Sequence, residues 1–174
     1  MMSSLSFFRR LSGYKIALLG IGLFLLDMVT KMLALHYLAA APSATGMGVE
    51  REIIVFQNVI GIDFTLTYAI NKGAAWGCFG NFPYLLLALR LVLIGALFVY
   101  LLFFQAPQNY RLPLTLILSG ALGNVCDFFL YGHVIDMIHF VFWGYDYPVF
   151  NVADSLIFLG TCMILFNTMR HKES

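Results

Sequence analysis

FPYLLLALRLVLIGALFVYLLFF, residues 82–104, contains one charged side chain, Arg90, in 23 positions. A hydrocarbon core about 30 Å thick is crossed by about 20 apolar helical residues, so this stretch reads as a transmembrane helix. Working outward, runs of similar character occupy residues 14–40, 112–131 and 150–169. The composition agrees with four such spans. Apolar side chains make up 61% of the 174 residues, charged ones 11%, and the mean hydropathy is +0.86. Soluble domains carry about 25% charged residues. The expected fold is an integral membrane protein, mainly α, with four transmembrane helices and a small extracytoplasmic β-sheet in a single membrane domain over residues 1–174.

A net charge of +1 provides no clustered basic face for phosphate, which excludes nucleic acid as a partner. The basic residues instead flank the spans. Arg9, Arg10 and Lys15 precede the first, Arg111 lies between the second and third, and Arg170 and Lys172 follow the fourth. By the positive-inside rule both termini are cytoplasmic, and segments 41–81 and 132–149 face outward. The Ala39, Ala40, Ala41 run resembles a signal cleavage site, but the apolar stretch before it is too long for a signal core of about 7–15 residues and carries Asp27 and Lys31. It reads as a retained helix. Within the outer segment, EIIVFQNV and IDFTLTYAI are rich in β-branched and aromatic residues and flank Gly61, a pattern that predicts a small sheet at or above the interface.

Polar groups inside the spans require a reason, since an Asp, Lys or Arg at a helix centre costs roughly 2.5–3.5 kcal/mol on insertion scales. Asp27 and Lys31, four apart, share a helix face as a structural ion pair or as groups that orient substrate. Asn124 and Asp127 share a face of the third span, and Asn151 and Asp154 open the fourth. Asp136 follows the third span closely, so chain direction brings it to Asp154 near the outer interface. Two adjacent carboxylates hold one proton between them. One member can then take a proton from an attacking water while the other protonates the oxyanion, as in aspartic proteases. HExxH and GxSxG are absent, no metal or other cofactor is expected, and Cys78, Cys126 and Cys162 read as packing residues. His36, His133, His139 and His171 are scattered, and Trp143, Tyr145 and Tyr147 suit an interfacial aromatic anchor or a gate. Two other classes fit intramembrane acids: a small proton-coupled transporter, and a scaffold that uses amides and carboxylates as interhelical glue. The outward clustering of the acids and the lack of an inverted repeat weigh against a transporter.

DMVTK at 27–31, NKGAAWG at 71–77, GALGNVCD at 120–127 with GHVIDMIHF at 132–140, and FNVAD at 150–154 resemble, in order, the signature segments of lipoprotein signal peptidases, the signal peptidase II family. The resemblance implies an aspartic endopeptidase of the bacterial cytoplasmic (inner) membrane. Its substrates would be diacylglyceryl-modified prolipoproteins, cut just before the lipidated cysteine; membrane lipids are the other expected partners and a monomer the expected state. It also implies that Asp136 and Asp154 are catalytic, that Asn71, Asn124, Asp127 and Asn151 support them, that Asp27 and Lys31 form the first-helix motif, and that residues 50–70 form a substrate cradle. Phe128 departs from the family, which has Arg after the aspartate of GNxxD. Arg90, about 12 Å along its helix at 1.5 Å per residue, reaches the depth of Asp127 and either compensates by pairing with it or snorkels to an interface.

Overall fold

The computed structural model describes residues 13–39, 52–71, 82–104 and 106–172. Helix α1 (Gly13–Tyr37) is followed by strands β1 (Ile53–Val59) and β2 (Ile62–Asn71), then α2 (Pro83–Phe103), α3 (Gln108–Tyr131), β3 (Val134–Phe142), β4 (Tyr145–Asp146) and α4 (Val152–Lys172). The four helices are each long and apolar enough to cross a membrane. α3 is central and packs against α1, α2 and α4. Most of NKGAAWG lies outside the described residues, as do Cys78 and Arg9.

Local chemistry sets the helix limits. Pro83 occupies the first turn of α2, where its missing N–H costs nothing. α3 begins four residues before the expected start at 112, so Pro113 falls inside it. A proline leaves the carbonyl four residues earlier without its helical donor. That carbonyl, Asn109 O, accepts from Asn167 Nδ2 of α4 at 2.8 Å. At its other end α3 stops at Gly132, whose left-handed φ of 76° turns the chain directly into β3.

Helices α3 and α4 approach closely because small residues line their seam. A Cβ on Gly120 would collide with the Ala153 carbonyl, and one on Gly160 would lie 2.6 Å from Pro113 O. In lipid, where apolar burial between helices provides no net driving force, such close contact is a principal source of helix association.

The sheet is larger than expected. It is a four-stranded antiparallel meander in the order β1-β2-β3-β4, and two of its strands come from the segment after α3. VIDMIHFVF hid its strand because both faces are mostly apolar, with Asp136 on one and His139 on the other, leaving no alternation to read. On one face Ile135 and Met137 pack with Ala34 and Leu38 of α1. On the other, Phe56, Phe64 and Phe140 are paired across three strands, with ring centroids 5.6 and 4.6 Å apart. The two hairpins close with Ile60-Gly61 and Trp143-Gly144, all at positive φ, the mirror-image turn that suits strand twist. The tips are tied together where Trp143 N donates to Gly61 O at 2.8 Å. Trp143 and Tyr145 are exposed on this hairpin.

Replacing Gly160 by Val should force α4 away from α3 and lower stability by about 1–3 kcal/mol, the usual cost of overpacking. Gly95→Ala on α2, where an added Cβ meets nothing within 4 Å, should leave stability unchanged. Thermal unfolding of both variants in detergent checks the contrast.

Candidate active site

The residues of interest gather where the sheet meets the helices. β3 determines this placement. Phe150 N donates to Ile138 O at 3.0 Å, and Phe150 O accepts from Ile138 N at 2.8 Å and Met137 N at 3.0 Å. This bridge returns the chain beside β3 just before α4 begins, so Asn151 and Asp154 come to lie next to Asp136.

Asn151 and Asp154 cap α4 reciprocally. Asp154 N donates to Asn151 Oδ1 at 2.8 Å, and Asn151 N donates to Asp154 Oδ2 at 3.4 Å. The N-x-x-D spacing is a capping-box signal that a reading of shared helix faces overlooks. Asn151 is fully buried, and its Nδ2 also reaches Asp136 Oδ1 at 2.7 Å, Ile135 O at 3.1 Å and Asn124 Oδ1 at 3.1 Å. The second oxygen of Asp136 accepts from Asn71 Nδ2 at 3.0 Å. Asp154 Oδ1 accepts from Asn124 Nδ2 at 2.8 Å. Each carboxylate thus has amide donors, and Asn151 touches both.

Beneath the pair lies a buried ion cluster. Lys31 Nζ contacts Asp27 Oδ2 at 2.8 Å, Asp127 Oδ2 at 2.7 Å and Asn124 Oδ1 at 2.9 Å, which uses all three ammonium donors. Asp27 Oδ1 accepts from Ala153 N, in the first turn of α4, at 2.7 Å, and Asp127 Oδ2 accepts from Ile135 N at 3.2 Å. Gly123 makes room for this arrangement, since a Cβ there would run into the Asp27 carboxylate. The counter-charge on Asp127 comes from Lys31. Phe128, at the position where Arg was expected, sits edge-on to Tyr84 of α2 with centroids 6.1 Å apart.

Asp136 is buried and stands on a strand outside the spans. Burial, and then the charge of Asp154, push its carboxyl up to about 7, against the pull of Asn71, Lys31 and Asn151. Asp154 is only half-buried, so one member of the pair is open to the surface. All eight residues singled out in the sequence therefore belong to one connected network. His133 and His139 lie on its margin. His133 bonds Tyr68 Oη at 3.2 Å, and His139 lies between Thr65 and Asp146. The backbone contributions of Ile135, Phe150 and Ala153 had no sequence signal, because any residue can supply them.

Such a site can hold a water between a carboxyl and a carboxylate. Replacing Lys31 by Met should cost about 3–5 kcal/mol, because it strands two buried carboxylates. Unfolding in a denaturing detergent titration should show the loss. A variant as stable as wild type would mean the cluster contributes nothing to the fold.

A family model described as signal peptidase (SPase) II matches residues 19–170. A lipoprotein signal peptidase from Chlamydia felis is 39% identical over 145 residues, 82% of this chain and 84% of that protein. One from Chlamydia pneumoniae is 40% identical over 105 residues, 59% of this chain and 62% of that protein. A bacterial membrane enzyme structure determined by the in meso method at 2.3 Å resolution superimposes with a TM-score of 0.74 at 26% identity, covering 91% of this chain and 89% of that one.

Proposed function

The chain belongs to the signal peptidase II family, and from that footing we propose that Asp136 and Asp154 are its catalytic pair, with Asn71, Asn124, Asp127, Asn151, Asp27 and Lys31 holding them in place. It is a membrane-bound lipoprotein signal peptidase of the aspartic type, which removes the transporter and scaffold readings. Its substrates are prolipoproteins. The cut falls just before a diacylglyceryl-modified cysteine, at the outer face of the bacterial cytoplasmic membrane, with both termini inside.

The observation that carries the assignment is the asymmetry of the two acids around Asn151. Asp136 is buried and keeps its proton to about pH 7, whereas Asp154 is half-buried and accepts from Asn124 and the Asn151 backbone. In the proposed reaction Asp154 takes a proton from the attacking water, whose oxygen bonds to the peptide carbonyl carbon. Asp136 gives its proton to the carbonyl oxygen as negative charge develops there. Collapse of the tetrahedral intermediate then breaks the C–N bond: one of its hydroxyls returns a proton to Asp136 as the carbonyl reforms, and the leaving amine takes up the proton acquired by Asp154.

The lipid tails of the substrate bring it laterally through the bilayer, so the acids must lie near an interface that water reaches. The aromatic face of the sheet begins beside Asp136 and extends away from it, which suits a surface that steadies the peptide.

Asp136→Asn and Asp154→Asn, each assayed as purified, folded protein with a lipidated precursor, should lose cleavage by at least about a hundredfold. Activity surviving in either would move the chemistry elsewhere in the network.

The pH profile carries a further expectation. Asp136 acts as the acid, so kcat/KM should fall on the alkaline side with a midpoint near 7. Stability should follow the same sign. A carboxyl whose folded value is raised contributes stability fully present below its unfolded value of 3.8 and lost as pH rises through about 7. Thermal melts of wild type and Asp136→Asn across that window should converge in slope only if another group is responsible.

A further inference from the structure

At the end of the bundle away from the sheet, α1 and α2 flank a groove of about 550 Å³ whose floor is α3. The volume falls within the range of about 300–1,000 Å³ typical of small-molecule sites. Its lining on α1 runs from Gly13 to Phe24, eleven residue steps, or about 16 Å at 1.5 Å per residue. That is close to half of a hydrocarbon core about 30 Å thick, the depth of one leaflet. The rims formed by Ile21 and Leu102 are exposed, so the groove opens where lipid surrounds the helices.

The walls are almost wholly apolar. Ser119, one of the few polar lining groups, turns its hydroxyl to Gly20 O at 3.0 Å. Among the described residues that line the groove, Arg111 alone is charged, and it stands in the first turn of α3 where the groove reaches the membrane surface. Its Nε donates to Ala106 O at 2.9 Å, which anchors the guanidinium there with one of its five N–H donors.

We infer that this groove is a lipid site, taking one acyl chain of an anionic phospholipid from the leaflet opposite the sheet, with Arg111 on its phosphate. The depth matches one chain in one leaflet, and Arg111 lies at the headgroup level with the sign that attracts a phosphate. The apolar helix of a signal segment fits less well. It crosses the whole bilayer, is about 10 Å wide, and carries a positively charged leading end that Arg111 would repel. The inference rests on the chain spanning a membrane and not on the catalytic assignment.

The test is native mass spectrometry of the purified full chain in detergent, titrated with phosphatidylglycerol, with phosphatidylcholine of the same chains, and with inorganic phosphate. Wild type should retain one phosphatidylglycerol about fivefold more tightly than phosphatidylcholine, the ratio expected for one basic residue at the surface. Arg111→Gln should reduce that preference to about one, and Arg111→Lys should keep it. Ala17→Phe fills the groove from its exposed rim and should abolish retention of both lipids while precursor cleavage stays at the wild-type rate; Leu102→Trp serves the same purpose should Ala17→Phe not fold. Equal retention of the two lipids by wild type, or an undiminished preference in Arg111→Gln, would overturn the inference. So would inorganic phosphate displacing the lipid, which would indicate a free-anion site, or a raised KM for precursor in Ala17→Phe with lipid retention intact, which would assign the groove to substrate.

Discussion

Everything at the site depends on one buried ammonium. Lys31 stands in a membrane helix with both carboxylates of its cluster fully buried, so it cannot be left unpaired and cannot be hydrated. Its two acidic partners outnumber it. The second negative charge is met by the N-terminus of α4, whose Ala153 N–H points at Asp27 where the helix dipole is positive. One ion pair, one dipole and one glycine, Gly123, thus tie α1, α3 and α4 into a single geometry.

That cluster also fixes the direction of an amide. With Asn124 Oδ1 occupied by Lys31 and by Asn151 Nδ2, the Asn124 Nδ2 group is committed to Asp154. Asn151 is constrained in the same way, since its Oδ1 caps α4 and its Nδ2 faces Asp136. The two acids therefore sit among donors whose orientation was decided deeper in the membrane. A site reaching toward an aqueous interface gains rigidity from groups that water does not touch, because hydrogen bonds and ion pairs are stronger in a low dielectric.

The helices were legible because a bilayer imposes length and apolarity on any segment that crosses it, and because each intramembrane charge marks a needed partner. The same logic brought out Asp27, Lys31, Asn124 and Asp127, and in the structure Lys31 joins the other three. β3 was hidden because both of its faces carry mostly apolar residues, one against α1 and one in the aromatic ladder, so the period of two is erased. Lys31 as the partner of Asp127 was not legible, because depth along a helix says nothing about azimuth. Lys31 faces Asp127 across the α1–α3 contact, whereas the face of α3 bearing Phe128 meets Tyr84 of α2. Backbone donors such as Ile135 N and Ala153 N leave no mark in a sequence at all.

The bridge between Ile138 and Phe150 has a consequence for how this segment can vary. It closes the chain on itself before α4, so the hairpin of β3 and β4, with its tip at Trp143-Gly144, extends beyond a fixed bridge. Closing a longer loop costs only about 0.6 kcal/mol for each doubling of length. Insertions at the tip are therefore accommodated without displacing Asp136 or Asp154, and the outer rim of the molecule can be remodelled toward different polypeptides while the reaction centre stays put.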